Sequence, residues 1–134
     1  MSVQSSGSQP VLIEQDVVLA RQTARKLAQE CGMRLVDLTK MVTAVSELAR
    51  NTMVYGGGGT MEWEILDDGM RTGLRITFRD EGPGIADLKL AMTDGWTSGS
   101  GMGLGLTGAK RLVDEFDLDT APGKGTRITI TRWT

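Results

Sequence analysis

Four consecutive glycines at residues 56–59 separate two unlike patterns, and that change of period constrains the fold more than any other feature of the chain. Before them Leu38, Met41, Val42, Val45, Leu48 and Ala49 recur every three or four residues. This spacing predicts a helix that ends near Tyr55, because a glycine run cannot sustain one. After them Met61, Trp63 and Ile65 alternate with Thr60, Glu62 and Glu64. Beyond the Asp67-Asp68-Gly69 turn, Leu74, Ile76 and Phe78 alternate with Arg75, Thr77 and Arg79. A period of two on both sides of a turn predicts an antiparallel hairpin with one buried face.

The flanking segments extend the same alternation of layers. Residues 1–9 are rich in Ser, Gly and Gln and read as a disordered tail, residues 10–13 as a short edge strand, and residues 10–134 as one domain. Asp16 is the expected cap of a first helix whose face is Val17, Ala20, Ala24, Leu27, Ala28 and Cys31, with Gly32 closing it. Residues 87–92 suggest a short helix and 93–99 a mobile loop. A last helix is expected to carry Gly105, Ala109, Leu112, Val113 and Phe116 on one face. Residues 118–121 and 126–133 then form a closing hairpin through Pro122-Gly123-Lys124-Gly125. Helices and antiparallel strands interleave without a βαβ rhythm. The expected fold is therefore α+β, a two-layer sandwich with helices on one face of a mixed, mostly antiparallel sheet.

Composition removes several function classes. There is no histidine, so the commonest general base, the Ser-His and Cys-His pairs and most zinc sites are absent together. Any catalytic proton must pass to a carboxylate, Lys, Tyr or Cys. A formal net charge of -2 with scattered Lys and Arg offers no basic stripe for nucleic acid, and no apolar run approaches a bilayer's thickness. The single Cys31 forms no internal disulfide and reads as a buried small hydrophobe; with no leader pattern, the cytoplasm is the expected compartment.

Three short stretches carry chemistry. Glu47 and Asn51 stand at i and i+4 on the predicted helix, so they leave one face a turn apart. Asn supplies a hard oxygen suited to Mg²⁺ and Glu can accept a proton. Taken alone, the pair reads first as a solvated polar face in which Glu47 pairs with Arg50, because such pairs are common on helices. Asp80 ends a strand before Gly82-Pro83-Gly84, and the period of two turns it toward the Leu74, Ile76 and Phe78 side. There it can accept a hydrogen bond from an exocyclic amine such as that of adenine, while glycines let the backbone approach the ring. Gly101, Gly103 and Gly105 flow into a helix whose free N–H groups can receive phosphate oxygens. Residues 103–108 also satisfy a dinucleotide fingerprint, but no strand precedes them, and no GK[ST] completes a P-loop.

In order and chemistry these stretches resemble the N, G1 and G2 boxes of the GHKL (Bergerat-fold) ATPase superfamily. Within it the chain is similar to the RsbT-type serine/threonine kinases of bacterial general stress regulation, across Ser46-Glu47-Leu48-Ala49-Arg50-Asn51, Gly82-Pro83-Gly84-Ile85, Lys110-Arg111-Leu112 and Gly125-Thr126. The resemblance implies binding of ATP or ADP with Mg²⁺ and phosphoryl transfer to a Ser or Thr of an STAS-domain partner. It gives Glu47 the role of base and Asn51 that of metal ligand. Asp80 reads adenine, with Gly82, Gly84, Ile85 and Thr126 around it, and Gly101, Met102, Gly103, Leu104 and Gly105 hold the phosphates. It further implies a switch that leaves a stress-sensing complex, the stressosome, to activate a PP2C-type phosphatase through its regulatory domain. Self-pairing stays open. The sister group, the anti-sigma-factor kinases, carries an Arg before the G2 glycines, where this chain has Thr97-Ser98-Gly99-Ser100; Lys110 and Lys124 are candidates for the missing charge.

Overall fold

A computed structural model describes residues 1–85 and 104–134. The chain runs β1 (Ser2–Val11), α1 (Glu14–Glu30), α2 (Leu35–Val54), β2 (Gly59–Asp67), β3 (Thr72–Asp80), α3 (Leu104–Arg111), β4 (Glu115–Thr120) and β5 (Thr126–Trp133). The five strands form one sheet in the order β1-β2-β3-β5-β4, and all four described pairings are antiparallel. The expected two-layer α+β architecture is therefore present.

The helical faces pack as their spacing predicts. Val17, Ala20, Ala24, Leu27 and Ala28 of α1 and Leu38, Met41, Val45, Leu48 and Ala49 of α2 are buried with Met61, Ile65, Leu74, Ile76, Phe78, Ile128 and Ile130 of the sheet. Alanines along α1 let the two helices approach closely, so one core serves both layers. Cys31 lies in that core, where burial and the neighbouring Glu30 push its thiol up to about 11. Gly32 takes φ +81 immediately after the C-cap Cys31, as a helix-closing glycine does. Tyr55 caps α2 immediately before the glycine run.

Three expectations are corrected. Residues 1–9 are not a disordered tail: Ser2–Val11 pairs antiparallel with β2 from Ser2↔Asp67 to Val11↔Gly59. Their composition hides this, because the strand contributes backbone bonds rather than apolar side chains. Gly7 admits the Trp63 indole, which a Cβ would strike, and Gln9 Oε1 accepts the Thr23 hydroxyl at 2.8 Å, tying β1 to α1. Asp16 is the third helical residue rather than the N-cap. Its Oδ2 accepts the backbone N–H groups of Leu12 and Ile13 at 2.9 and 3.2 Å, so it caps from inside the first turn. Leu112, Val113 and Phe116 do not belong to the last helix. The helix stops at Arg111, Asp114 N–H donates to Thr131 O at 2.9 Å, and Phe116 pairs with Ile130 in β4. The helix and loop expected within residues 87–99 lie outside the described residues.

Candidate functional site

Asp80 closes β3 between Gly59 of β2 and Thr126 of β5. Its half-buried carboxyl lies on the helix side of the sheet, where Oδ1 accepts Gly82 N–H at 2.9 Å. Burial pushes its pKa above the ordinary value, while the N–H groups of Gly82 and Thr126 pull the other way. Glycines make the approach possible. A Cβ on Gly56 would collide with the Asp80 carboxyl, and a Cβ on Gly82 would lie 2.8 Å from Gly56 Cα. The carboxylate is therefore gripped between the loop after α2 and the turn after β3.

A second set of contacts joins that turn to the β4–β5 turn. Gly123 N–H donates to Pro83 O at 2.8 Å, and Ile85 N–H donates to Thr120 Oγ1 at 2.9 Å. Thr120 in turn donates to Gly125 O at 2.8 Å and lies 2.9 Å from the buried Thr126 hydroxyl. Gly84 and Gly125, at φ +72 and +74, pass so near Ala121 O and Asp80 O that side chains there would clash. Asp80, Gly82, Gly84, Ile85 and Thr126 thus converge. Asp80 and Thr126 line a cavity of about 760 Å³ with the glycines at 57–59 and Lys124. Thr120 and Gly56 were missed in the sequence: Thr120 reads there as an ordinary strand residue, and Gly56 only as a helix terminator.

Asn51 reaches this assembly through the backbone. Its carbonyl accepts Tyr55 N–H at 2.9 Å and Gly56 N–H at 3.1 Å, and Gly56 is the residue pressed against Asp80. Its side-chain Nδ2 is buried and has no hydrogen-bond partner among the described residues. Buried amides are nearly always bonded, so this donor is open to a hydrogen-bond acceptor. Glu47 is exposed one turn earlier and opens on a different cavity, about 400 Å³, between α1 and α2 beside Arg21, Arg25 and Ser46. The Glu47–Arg50 pair is not formed: Arg50 Nη2 binds Glu14 Oε1 at 2.8 Å instead. Glu47 therefore carries no ion pair among the described residues.

Gly101, Met102 and Gly103 lie outside the described residues, whereas Leu104 and Gly105 begin α3. Lys110 is exposed in the last turn of α3, away from that start, and Lys124 lines the Asp80 cavity. The described residues contain no cluster of three or more His, Cys, Asp or Glu able to hold a metal ion. The unpartnered Asn51 Nδ2 is a donor and cannot ligate a cation; the Oδ1 of the same amide is the atom that would hold one, beside phosphate and water ligands. No described helix is long and apolar enough to cross a membrane.

Comparison with known proteins agrees with this fold. Residues 36–133 match the family described as histidine kinase-, DNA gyrase B-, and HSP90-like ATPase. The chain is 44% identical to the serine/threonine-protein kinase RsbT of Bacillus subtilis (strain 168), over 92% of both chains. It is 28% identical to the anti-sigma F factor of the same organism, over 90% of this chain and 86% of that one. In solved structures, the RsbU and RsbW domains of Rv1364c from Mycobacterium tuberculosis superpose with a TM-score of 0.66 at 20% identity, over 96% of this chain and 32% of that one. The SiaB–SiaC complex from Pseudomonas aeruginosa gives 0.57 at 10% identity, over 98% and 91%. These two likenesses concern the fold alone. By sequence, fold and the order of its three boxes, the chain belongs to the histidine kinase-, DNA gyrase B- and HSP90-like ATPases, and within them to the RsbT-type serine/threonine protein kinases.

Proposed function

We propose that the chain binds Mg²⁺-ATP across the Asp80 cradle and the Asn51 face of α2 and transfers the γ-phosphoryl group to a Ser or Thr of an STAS-domain protein. The observation that carries this reading is the link through Gly56. It joins an inward, half-buried carboxylate to a helix whose buried Asn51 amide lacks a partner. Asp80 accepts the adenine amine, and the crossing turns at Gly82, Gly84, Ile85 and Thr126 shape the base pocket. Asn51 holds the metal. Bound Mg²⁺ supplies charge neutralisation of the phosphates.

Glu47 is proposed as the base, accepting the proton of the partner's hydroxyl. Its exposure and its freedom from Arg50 suit a group that must meet a second protein. Gly101, Met102, Gly103, Leu104 and Gly105 are proposed to hold the phosphates, with Leu104 and Gly105 at the start of α3. Phosphoryl transfer relies on positioning and charge stabilisation, so a site without histidine is sufficient. We further propose a cytoplasmic switch that exchanges an STAS-bearing stressosome for the regulatory domain of a PP2C-type phosphatase. The RsbT relationship and the absence of Arg at residues 97–100 favour this over direct anti-sigma binding.

Incubation with Mg²⁺-ATP and an STAS protein from the same genome, followed by mass spectrometry, should give one phosphoserine or phosphothreonine on the partner. No phosphate on any STAS partner would overturn the kinase reading, and capture of a sigma factor alongside STAS phosphorylation would move the chain to the anti-sigma group.

A further inference from the structure

Arg132, near the end of β5, joins two helices that the proposed chemistry needs in fixed relation. Its side chain is 14% exposed. Nη1 donates to Leu112 O at 2.8 Å, just past the end of α3, and Nη2 donates to Asp37 Oδ1 at 2.5 Å in the first turn of α2. The charges suit their places: a guanidinium meets the negative end of α3, and a carboxylate sits at the positive end of α2. Arg34 is a weaker second partner of Asp37, at 3.9 Å and largely in solvent.

Two observations separate this clamp from an ordinary stabilising pair. First, among the described residues α3 packs against α2, burying Leu106 and Ala109 in the core, and has no comparably extensive contact with any strand. Arg132 thus supplies a side-chain bond that ties the residue just past the far end of α3 to the sheet. Second, Arg132 Nε is buried and has no partner among the described residues. A part-buried ion pair with one buried, unsatisfied donor adds little net stability and is commonly matched by apolar residues of similar volume. What it does supply is direction. At 1.5 Å per residue, the eight residues of α3 span roughly 12 Å, so a tilt of about 10° at Leu112 displaces Leu104 by about 2 Å. A displacement of about 1 Å is enough to cost on the order of a hundredfold in a positioned reaction.

We infer that Arg132, with Asp37, is a positioning residue that sets the angle of α3 against α2, and so places the phosphate-binding start of α3 opposite Asn51. This rests on the nucleotide reading above. It adds a determinant of phosphate binding at the opposite end of both helices from the site.

The test removes both charges together, in the Asp37→Leu, Arg132→Met variant, and uses Mg²⁺-ATP and AMP as probes. The variant should melt close to the parent. Its affinity for Mg²⁺-ATP should fall tenfold or more, while that for AMP, which relies on the Asp80 cradle, changes less than twofold. Amide exchange across residues 104–111 should quicken at least fivefold, with α1 unchanged. Arg132→Lys, which can reach only one of the two acceptors at a time, should give an intermediate ATP-to-AMP ratio and serves if the double variant does not fold. A parental ratio in either folded variant overturns the inference, whatever its exchange rates. If the parent itself fails to bind Mg²⁺-ATP, the nucleotide reading falls, and unchanged exchange across residues 104–111 then overturns the clamp separately.

Discussion

Asp80 sits under a tension between folding and binding. Burial raises its pKa above the ordinary 3.8, so the folded protein holds the proton more tightly than the unfolded chain. Stability from this group is therefore full below the ordinary carboxylate range and declines as pH rises through the raised value. At neutral pH its ionised form costs the fold something that a ligand's amine would return. Asp80→Asn keeps an oxygen for the N–H groups of Gly82 and Thr126 and removes the charge. In the absence of nucleotide, that variant should melt at or above the parent at pH 7, and the gain should vanish near pH 3, where the parent's carboxyl is also neutral. Thermal scans at the two pH values check this; a lower midpoint at pH 7 with no pH dependence would contradict it. Gly56→Ala acts on the same atom from outside, because its methyl would strike the Asp80 carboxyl. It should weaken nucleotide binding by at least tenfold without touching any polar contact to ligand, as measured by titration with Mg²⁺-ADP.

At the scale of elements, what the sequence discloses follows what side chains report. The periods of α1, α2, β2 and β3 are legible because each buries an apolar face, and the inward turn of Asp80 follows from the same alternation. β1 is legible only at its end, Pro10 and Val11, because the rest of Ser2–Val11 contributes mainly backbone hydrogen bonds, with Val11 its one core residue. The early end of α3 is hidden for a related reason. Phe116 continues the helical spacing of Leu112, but Asp114 takes its bonds from β5: its N–H meets Thr131 O, and its Oδ2 accepts Trp133 N–H at 2.7 Å. Deleting residues 2–9 tests the strand. The deletion should uncover the edge of β2 and the Trp63 indole, destabilise the fold by on the order of 2 kcal/mol and shift Trp63 emission to the red. A truncated chain with the parent's melting point and emission would return residues 1–9 to the status of a tail.

For the whole molecule, the sheet and helices place the base end and the metal end of the proposed site on opposite sides of one short loop. Asp80, Gly82, Gly84, Ile85 and Thr126 gather where three turns cross, and Gly56 transmits that position to Asn51. Of the site, the carboxylate and the helix face were legible in the sequence, because each rests on a period. The Thr120 bridge between turns was not, because it depends on two loops distant in sequence meeting in space. Glu47 lines the groove between α1 and α2, apart from the Asp80 cavity; on the proposed reading it meets the partner's hydroxyl while Asp80 holds the base. That division of labour is the central claim, and titration calorimetry with Mg²⁺-ADP tests it most directly on the parent, Asp80→Asn and Glu47→Ala. One site per chain is predicted, with affinity lost by about 1–3 kcal/mol in Asp80→Asn and changed less than twofold in Glu47→Ala. No binding by the parent, or equal losses in the two variants, would contradict it.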